Sequence, residues 1–163
     1  MSILQACQAM QNSAFGMALL GSRYMFPLVE TTHVLCLSLS VGLLAIVDLR
    51  LIGLSIAARP VDAVLRMLRP WMLGGFVAMF LTGVLLFWSE AANVYVKPMF
   101  RLKLLFLALA GINALCFEWR LGRRVSEWGA RPTLPRAARF AGYASLFCWA
   151  VVILCGRWVA YGV

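Results

Sequence analysis

The chain has 163 residues, of which 63% are hydrophobic and 13% are charged, and its formal net charge is +9. Four apolar stretches long enough to cross a bilayer use nearly all of this length, which excludes an additional water-soluble catalytic domain. A charge of this size would suggest nucleic-acid binding in a soluble protein. Here the basic residues lie between the apolar stretches, so we interpret them as topology signals and expect a lipid bilayer, not nucleic acid, as the partner.

The apolar pattern predicts an all-α integral membrane protein, a four-helix bundle formed by a single transmembrane domain over residues 1–163. Residues 3–21 come first and mix Gln, Ser and Asn with apolar side chains, which favours an N-terminal helix at the membrane interface. A short amphipathic connector from Arg59 to Pro70 separates the first two spans. The predicted spans are residues 24–53, 70–89, 99–119 and 140–161.

Arginine is concentrated on the two connectors that follow the first and third spans. These connectors carry ten arginines, and the opposite side of the bundle carries five basic residues. The ten are Arg50, Arg59, Arg66, Arg69, Arg120, Arg123, Arg124, Arg131, Arg136 and Arg139. Because short cytoplasmic loops are enriched in Lys and Arg, both connectors are predicted to be cytoplasmic and both termini periplasmic.

The two halves of the chain resemble each other at an offset of 70 residues. At this offset His33 coincides with Lys103, Asp48 with Glu118, and several arginines with one another. Since the offset spans two helices, it predicts a parallel two-helix repeat about an axis along the membrane normal. The alternative is that any four-span protein places basic residues at its cytoplasmic helix ends, which would produce part of the match without a repeat.

Ionisable side chains inside the spans are the candidate functional residues, because charge in hydrocarbon is costly. Glu30 and His33 are three residues apart on the first span, and Lys103 opens the third span at a similar depth with Arg101 beside it. We expect these groups to share a polar cluster between helices. The alternatives are a structural Glu–Lys pair with a hydrogen-bonded histidine, or the lining of a small transporter or channel.

Haem b is the cofactor that this cluster predicts most specifically. His33 is the only histidine, and imidazole is a common axial ligand of haem iron. The predicted metal ligand is therefore His33, and the predicted cofactor-binding residues are His33, Lys103, Glu30 and Arg101. The second axial ligand would be Lys103, a methionine, or a residue of another chain, and Lys103 and Arg101 could pair with haem propionates. Copper bound by His33 and methionine is a further alternative.

Two strings, from Phe26 to Leu35 and from Val47 to Gly53, resemble a family of small uncharacterised four-span membrane proteins of bacteria. The resemblance continues through Thr82-Gly83 and residues 100–105. More distantly, the chain is similar to HemJ-type protoporphyrinogen oxidases and to CopD-type copper-resistance membrane domains. The HemJ-type resemblance implies haem b on His33 and a requirement for Lys103.

The apolar composition, the polar cluster around His33 and the family resemblance together predict a bacterial inner-membrane protein. We expect it to bind haem b and to act as a redox or electron-transfer subunit. We expect it to be a homo-oligomer or part of a larger membrane complex. The alternatives are a structural or anchoring subunit without a cofactor, and a small transporter or channel. No residue pattern in the sequence assigns a catalytic role.

Overall fold

A computed structural model describes residues 2–54, 59–131 and 133–161 of the chain. The regular structure in this part is helical, and four long apolar helices form a bundle, which confirms the predicted fold class. The helices are α1 (Ile3–Gln11), α2 (Ala14–Gly21), α3 (Met25–Ile52), α4 (Val61–Tyr95), α5 (Pro98–Arg120), α6 (Val125–Trp128) and α7 (Arg136–Ala160). The four long ones, α3, α4, α5 and α7, are long and apolar enough to cross a membrane.

The N-terminal segment forms two short helices where the sequence predicted one. They are separated because Ser13 starts a new helix, its Oγ accepting a hydrogen bond from the Gly16 N–H at 3.1 Å. Both helices pack against the last part of α4. Trp88 donates its indole N–H to Ser13 Oγ at 3.1 Å, and Phe15 packs edge-on against the same indole. The segment is therefore fixed to α4 by specific contacts.

The second long helix continues through the predicted connector. It begins at Val61, and Pro70 lies inside it instead of at its start. A proline within a helix lacks one hydrogen-bond donor and usually ends or bends it. The preceding turns are held because Val61 and Val64 are buried in a core shared with Trp128. The backbone leaves helical geometry later, at Glu90, where φ is −128° and ψ is 25°.

Small residues bring the long helices close together. Ser40 of α3 is fully buried against Gly75 of α4, and a Cβ on this glycine would collide with the Ser40 hydroxyl. On the other side of α3, a Cβ on Gly142 of α7 would lie 3.0 Å from the Asp48 carbonyl oxygen. Close backbone approach through small residues is the usual way for helices to pack in a membrane. Consequently α3 has α4 and α7 as its tightly packed neighbours.

The pairing of the long helices within each half follows the 70-residue offset seen in the sequence. Helices α3 and α4 form one closely packed pair, and α5 and α7 form the other. The buried pair Ser40 and Gly75 in the first half corresponds to the buried pair Ala110 and Ser145 in the second. In the second pair, the Asn113 side chain bonds across helices and donates to the Ala141 carbonyl oxygen at 3.0 Å. The correspondence holds within each pair and fails between the pairs, because α3 packs closely on α7 whereas α4 makes few contacts with α5.

Candidate functional site

One level of the bundle receives polar or small residues from all four long helices. His33 comes from α3, Thr82 from α4, Lys103 from α5 and Gly156 from α7. We call these four residues the polar layer. It lies toward the end of the bundle opposite the arginine-rich connectors. An apolar core that includes Trp149 and Val152 lies next to it within the bundle.

The imidazole of His33 is held by two consecutive residues of α4. Its Nδ1 lies 3.0 Å from Thr82 Oγ1. Gly83 makes room for the ring, because a Cβ at this position would be 3.1 Å from His33 Cε1. The ring therefore packs directly against the backbone of α4, with one nitrogen held by a hydroxyl group. Thr82 and Gly83 are the seat of the histidine.

The hydrogen bonds of Thr82 assign the proton on the neutral imidazole. The threonine hydroxyl is 2.8 Å from the Ala78 carbonyl oxygen and 3.1 Å from that of Met79, and it donates within its own helix. A hydroxyl has only one proton to donate. When that proton bonds a carbonyl of α4, the hydroxyl accepts from His33, and in this tautomer Nδ1 carries the hydrogen and Nε2 keeps its lone pair. In this orientation, Nε2 of His33 is available as a base or as a metal ligand.

Lys103 occupies the same level on the opposite pair of helices. Its Nζ lies 3.5 Å from the point where a Cβ of Gly156 would stand, so the lysine packs against this glycine of α7 at ordinary contact distance. The buried Cys155 is its neighbour on α7, and Lys103 is near enough to His33 for their charges to interact. Among the described residues, Lys103 Nζ has no hydrogen-bond acceptor and lies at the level of the imidazole.

The other two predicted site residues lie outside the polar layer. Glu30 is exposed on the surface of α3. Arg101 is exposed as well, donates its Nε–H to the Tyr95 carbonyl oxygen at 3.2 Å, and places its guanidinium 5.1 Å from the Tyr95 ring centre. The structure thus brings His33 and Lys103 to one level without Glu30 or Arg101.

Thr82 and Gly83 are functional candidates that reasoning from side-chain charge overlooked. The available signal was a hydroxyl next to a glycine in an apolar helix, at the depth of the only histidine. Among the described residues, no group of three or more His, Cys, Asp or Glu side chains could hold a metal ion. A single imidazole suits a cofactor that brings its other metal ligands with it.

No protein-family model, curated protein or solved structure matches the chain. The functional argument therefore depends on the geometry of the polar layer.

Proposed function

We propose that this integral membrane protein binds haem b through Nε2 of His33 and acts as a redox or electron-transfer subunit of the bacterial inner membrane. The observation that carries the proposal is the hydrogen bond between His33 Nδ1 and Thr82. Histidines that bind metal commonly donate their other ring N–H to a fixed acceptor, which sets the tautomer and the ring orientation. Thr82 supplies that acceptor here, and Gly83 lets the ring approach it.

Lys103 fits the same cofactor chemically. Its ammonium group is at the level of the imidazole and has no acceptor among the described residues. A cation in this position can pair with a haem propionate, or, as a neutral amine, it can supply a second axial ligand. When bound, the haem would supply one-electron chemistry, and the chain would supply an oriented imidazole and a neighbouring positive charge.

A single histidine limits how the iron can be ligated. A bis-histidine site requires two copies of the chain, because each copy contributes one imidazole. We therefore propose a homo-oligomer or a larger membrane complex, with the second ligand coming from Lys103, a methionine or another chain. The 10:5 distribution of basic residues supports an orientation with the arginine-rich connectors in the cytoplasm and both termini in the periplasm.

The test is the absorption spectrum of the full chain purified from cells supplied with ample haem. Wild-type protein should show a Soret band, and His33→Ala should lack it and unfold at a lower temperature, because bound haem stabilises only the folded state. Lys103→Ala should retain less haem than wild type. Lys97→Ala is the matched control, since Lys97 is the only other lysine and already donates to the Val159 carbonyl oxygen at 2.8 Å.

The same preparation separates the proposal from its alternatives. One haem per chain would indicate that His33 and a second ligand come from one copy, and one haem per two chains would indicate histidines from two copies. A colourless wild-type protein whose stability is unchanged in His33→Ala would overturn the proposal. It would leave the polar layer as a structural contact between helices. The transporter alternative has less support, because Glu30 lies outside the layer.

A further inference from the structure

The arginine-rich end of the bundle contains two cavities that occupy corresponding positions in the two halves. The larger one, of about 390 Å³, lies between the end of α3 with residues 59–60 on one side and residues 130–131, 133–134 and 139 on the other, and we call it the arginine cavity. The smaller one, of about 190 Å³, lies between α4 and α5. Arg69 of the smaller cavity and Arg139 of the arginine cavity are 70 residues apart, the offset of the repeat.

The smaller cavity neutralises its own charges. Arg69 forms an ion pair with Glu118 at 2.5 Å, and Arg66 forms one with Asp62 at 2.9 Å. Two cations and two carboxylates therefore line it. Surface pairs of this kind contribute little to stability, but they leave no net charge for a ligand to satisfy.

The arginine cavity lacks this compensation. Asp48, the counterpart of Glu118, does not line it: its side chain is buried, and its Oδ2 has no hydrogen-bond partner among the described residues. Position 132, the counterpart of Asp62, is a proline in the sequence. The described residues that line the cavity include four cations and no carboxylate. The four are Arg50, Arg59, Arg131 and Arg139.

One of these arginines is held inside the protein. Arg50 is only 7% exposed, and its Nε–H donates to the Arg59 carbonyl oxygen at 2.9 Å. Burying a guanidinium without a counter-charge is costly, and its remaining N–H groups form a fork that matches a phosphate or carboxylate. The guanidinium of Arg50 is therefore fixed in position and has no anionic partner among the described residues that line the cavity.

The walls of the arginine cavity are fixed by the core beneath them. Leu51 and Ile52 of α3 line the cavity and are buried. The backbone N–H of Val61 donates to the Gly129 carbonyl oxygen at 3.0 Å and so ties the two connectors together. An anion bound here would meet Arg50, whose position is already set, which reduces the entropy lost on binding.

We propose that the arginine cavity binds a phosphate-bearing anion through Arg50 and the three other arginines. Arginine is suited to this ligand because its planar fork can make two parallel hydrogen bonds to phosphate oxygens. Helix α7 starts at Arg136, next to the cavity, and its N-terminus adds a favourable dipole. The phosphate could belong to the headgroup of an anionic lipid or to a soluble phosphate compound, and both satisfy the same chemistry.

The experiment is a thermal-unfolding titration of the full chain in a zwitterionic detergent. One arm adds phosphatidylglycerol, with phosphatidylcholine as its control. The other arm adds sodium phosphate, with sodium chloride at equal ionic strength as its control, since screening alone alters charged surfaces. A saturable rise in melting temperature is expected in at least one arm. A rise with phosphatidylglycerol alone identifies a lipid headgroup, and a rise with inorganic phosphate identifies a soluble ligand.

Arginine variants test whether the effect belongs to the cavity. Arg139→Gln and Arg50→Gln should each weaken the apparent affinity by about tenfold or more, the effect of losing a hydrogen bond to a charged group. Arg123→Gln is the matched control, because Arg123 is exposed at the same end and does not line the cavity. Should Arg50→Gln fail to fold, Arg131→Gln replaces it, since Arg131 is exposed.

Two results would overturn the proposal. One is the lack of any saturable rise beyond the chloride and phosphatidylcholine controls. The other is unchanged affinity in the cavity variants. Because none of these variants touches the polar layer, the outcome does not depend on whether His33 binds haem.

Discussion

Thr82 Oγ1 lies 3.0 Å from His33 Nδ1 and 2.8 Å from the carbonyl oxygen of Ala78, so a single hydroxyl links the imidazole of α3 to the backbone of α4. Because that hydroxyl has one proton, a bond from it to the Ala78 carbonyl makes the histidine the donor in the other contact. A polar group in the membrane interior finds few other partners. The orientation of the only imidazole therefore depends on one side chain of the neighbouring helix.

The first prediction concerns the proton on the imidazole. In the cofactor-free protein, nitrogen NMR of the histidine-labelled chain should show one histidine with Nδ1 protonated and Nε2 unprotonated. Thr82→Val keeps the shape of the side chain and removes the acceptor, so the tautomer preference should weaken. Stability should also fall by about 1 kcal/mol, the net contribution of a typical intramolecular hydrogen bond.

Thr32→Val is the control for this substitution. The Thr32 hydroxyl also donates within its own helix, to the Leu28 carbonyl oxygen at 2.8 Å, but it has no contact with His33 among its hydrogen bonds. Its loss should leave the histidine signals unchanged. Equal effects of the two variants on those signals would contradict the assigned role of Thr82.

The second prediction concerns how the N-terminal helices stabilise the break in α4. After Glu90 leaves helical geometry, the N–H groups of Ala92 and Asn93 approach Gln11 Oε1 at 2.9 and 3.4 Å. The glutamine thus acts as a cap supplied by another helix. Gln11→Leu should lower stability by about 1 kcal/mol, as the loss of a helix cap does, and should accelerate amide hydrogen exchange at Ala92.

Gln8→Leu provides the comparison, because Gln8 is an exposed glutamine on the same helix α1. It should alter neither stability nor exchange at Ala92 by a comparable amount. If Gln11→Leu leaves exchange at Ala92 unchanged, the capping interaction does not hold this end of α4.

The third prediction is the orientation of the bundle. A reporter that is active only in the periplasm should work when fused after Val163, and one that is active only in the cytoplasm should work when inserted after Arg124. The reason is the accumulation of ten arginines on the connectors at one end. Cytoplasmic activity of a fusion after Val163 would reverse the proposed orientation.

Charge and hydropathy were sufficient to predict the four long apolar helices and the common depth of His33 and Lys103. Depth along a helix follows from sequence position, because each residue adds a fixed rise of 1.5 Å. The face on which a residue lies is harder to predict. Glu30 and His33 are separated by about 60° around the helix axis, and this rotation separates the half-buried histidine from an exposed glutamate.

The seat of the histidine and the course of α4 could not be predicted for a related reason. Which residues of α4 meet His33 depends on how two helices approach, and Ser40 and Gly75 determine that approach through packing. Pro70 favoured a helix start by local preference, but the burial of Val61 and Val64 outweighed it. The contacts of His33 and the start of α4 both depend on packing between helices, which the helix propensities of single residues do not describe.

Two adjacent glycines test how closely α3 and α4 must approach. A Cβ at Gly75 would collide with Ser40 Oγ, whereas a Cβ at Gly74 would meet nothing within 4 Å. Gly75→Ala should therefore destabilise the bundle by about 1–3 kcal/mol through overpacking. Gly74→Ala, the matched control, should be neutral or stabilising by up to about 1 kcal/mol, since alanine favours the helix. Denaturation in detergent would measure both values.

A second-site change decides whether the Ser40 hydroxyl causes the effect. Ser40→Ala removes the colliding oxygen and leaves the Ser40 Cβ position 3.4 Å from the new Cβ at position 75, which is an ordinary contact. The serine's own hydrogen bond, to the Cys36 carbonyl oxygen at 2.7 Å, is within α3 and lost at little cost. The double variant Ser40→Ala/Gly75→Ala should recover most of the stability lost in Gly75→Ala. Additive losses in the double-mutant cycle would show that the two helices do not meet at this pair.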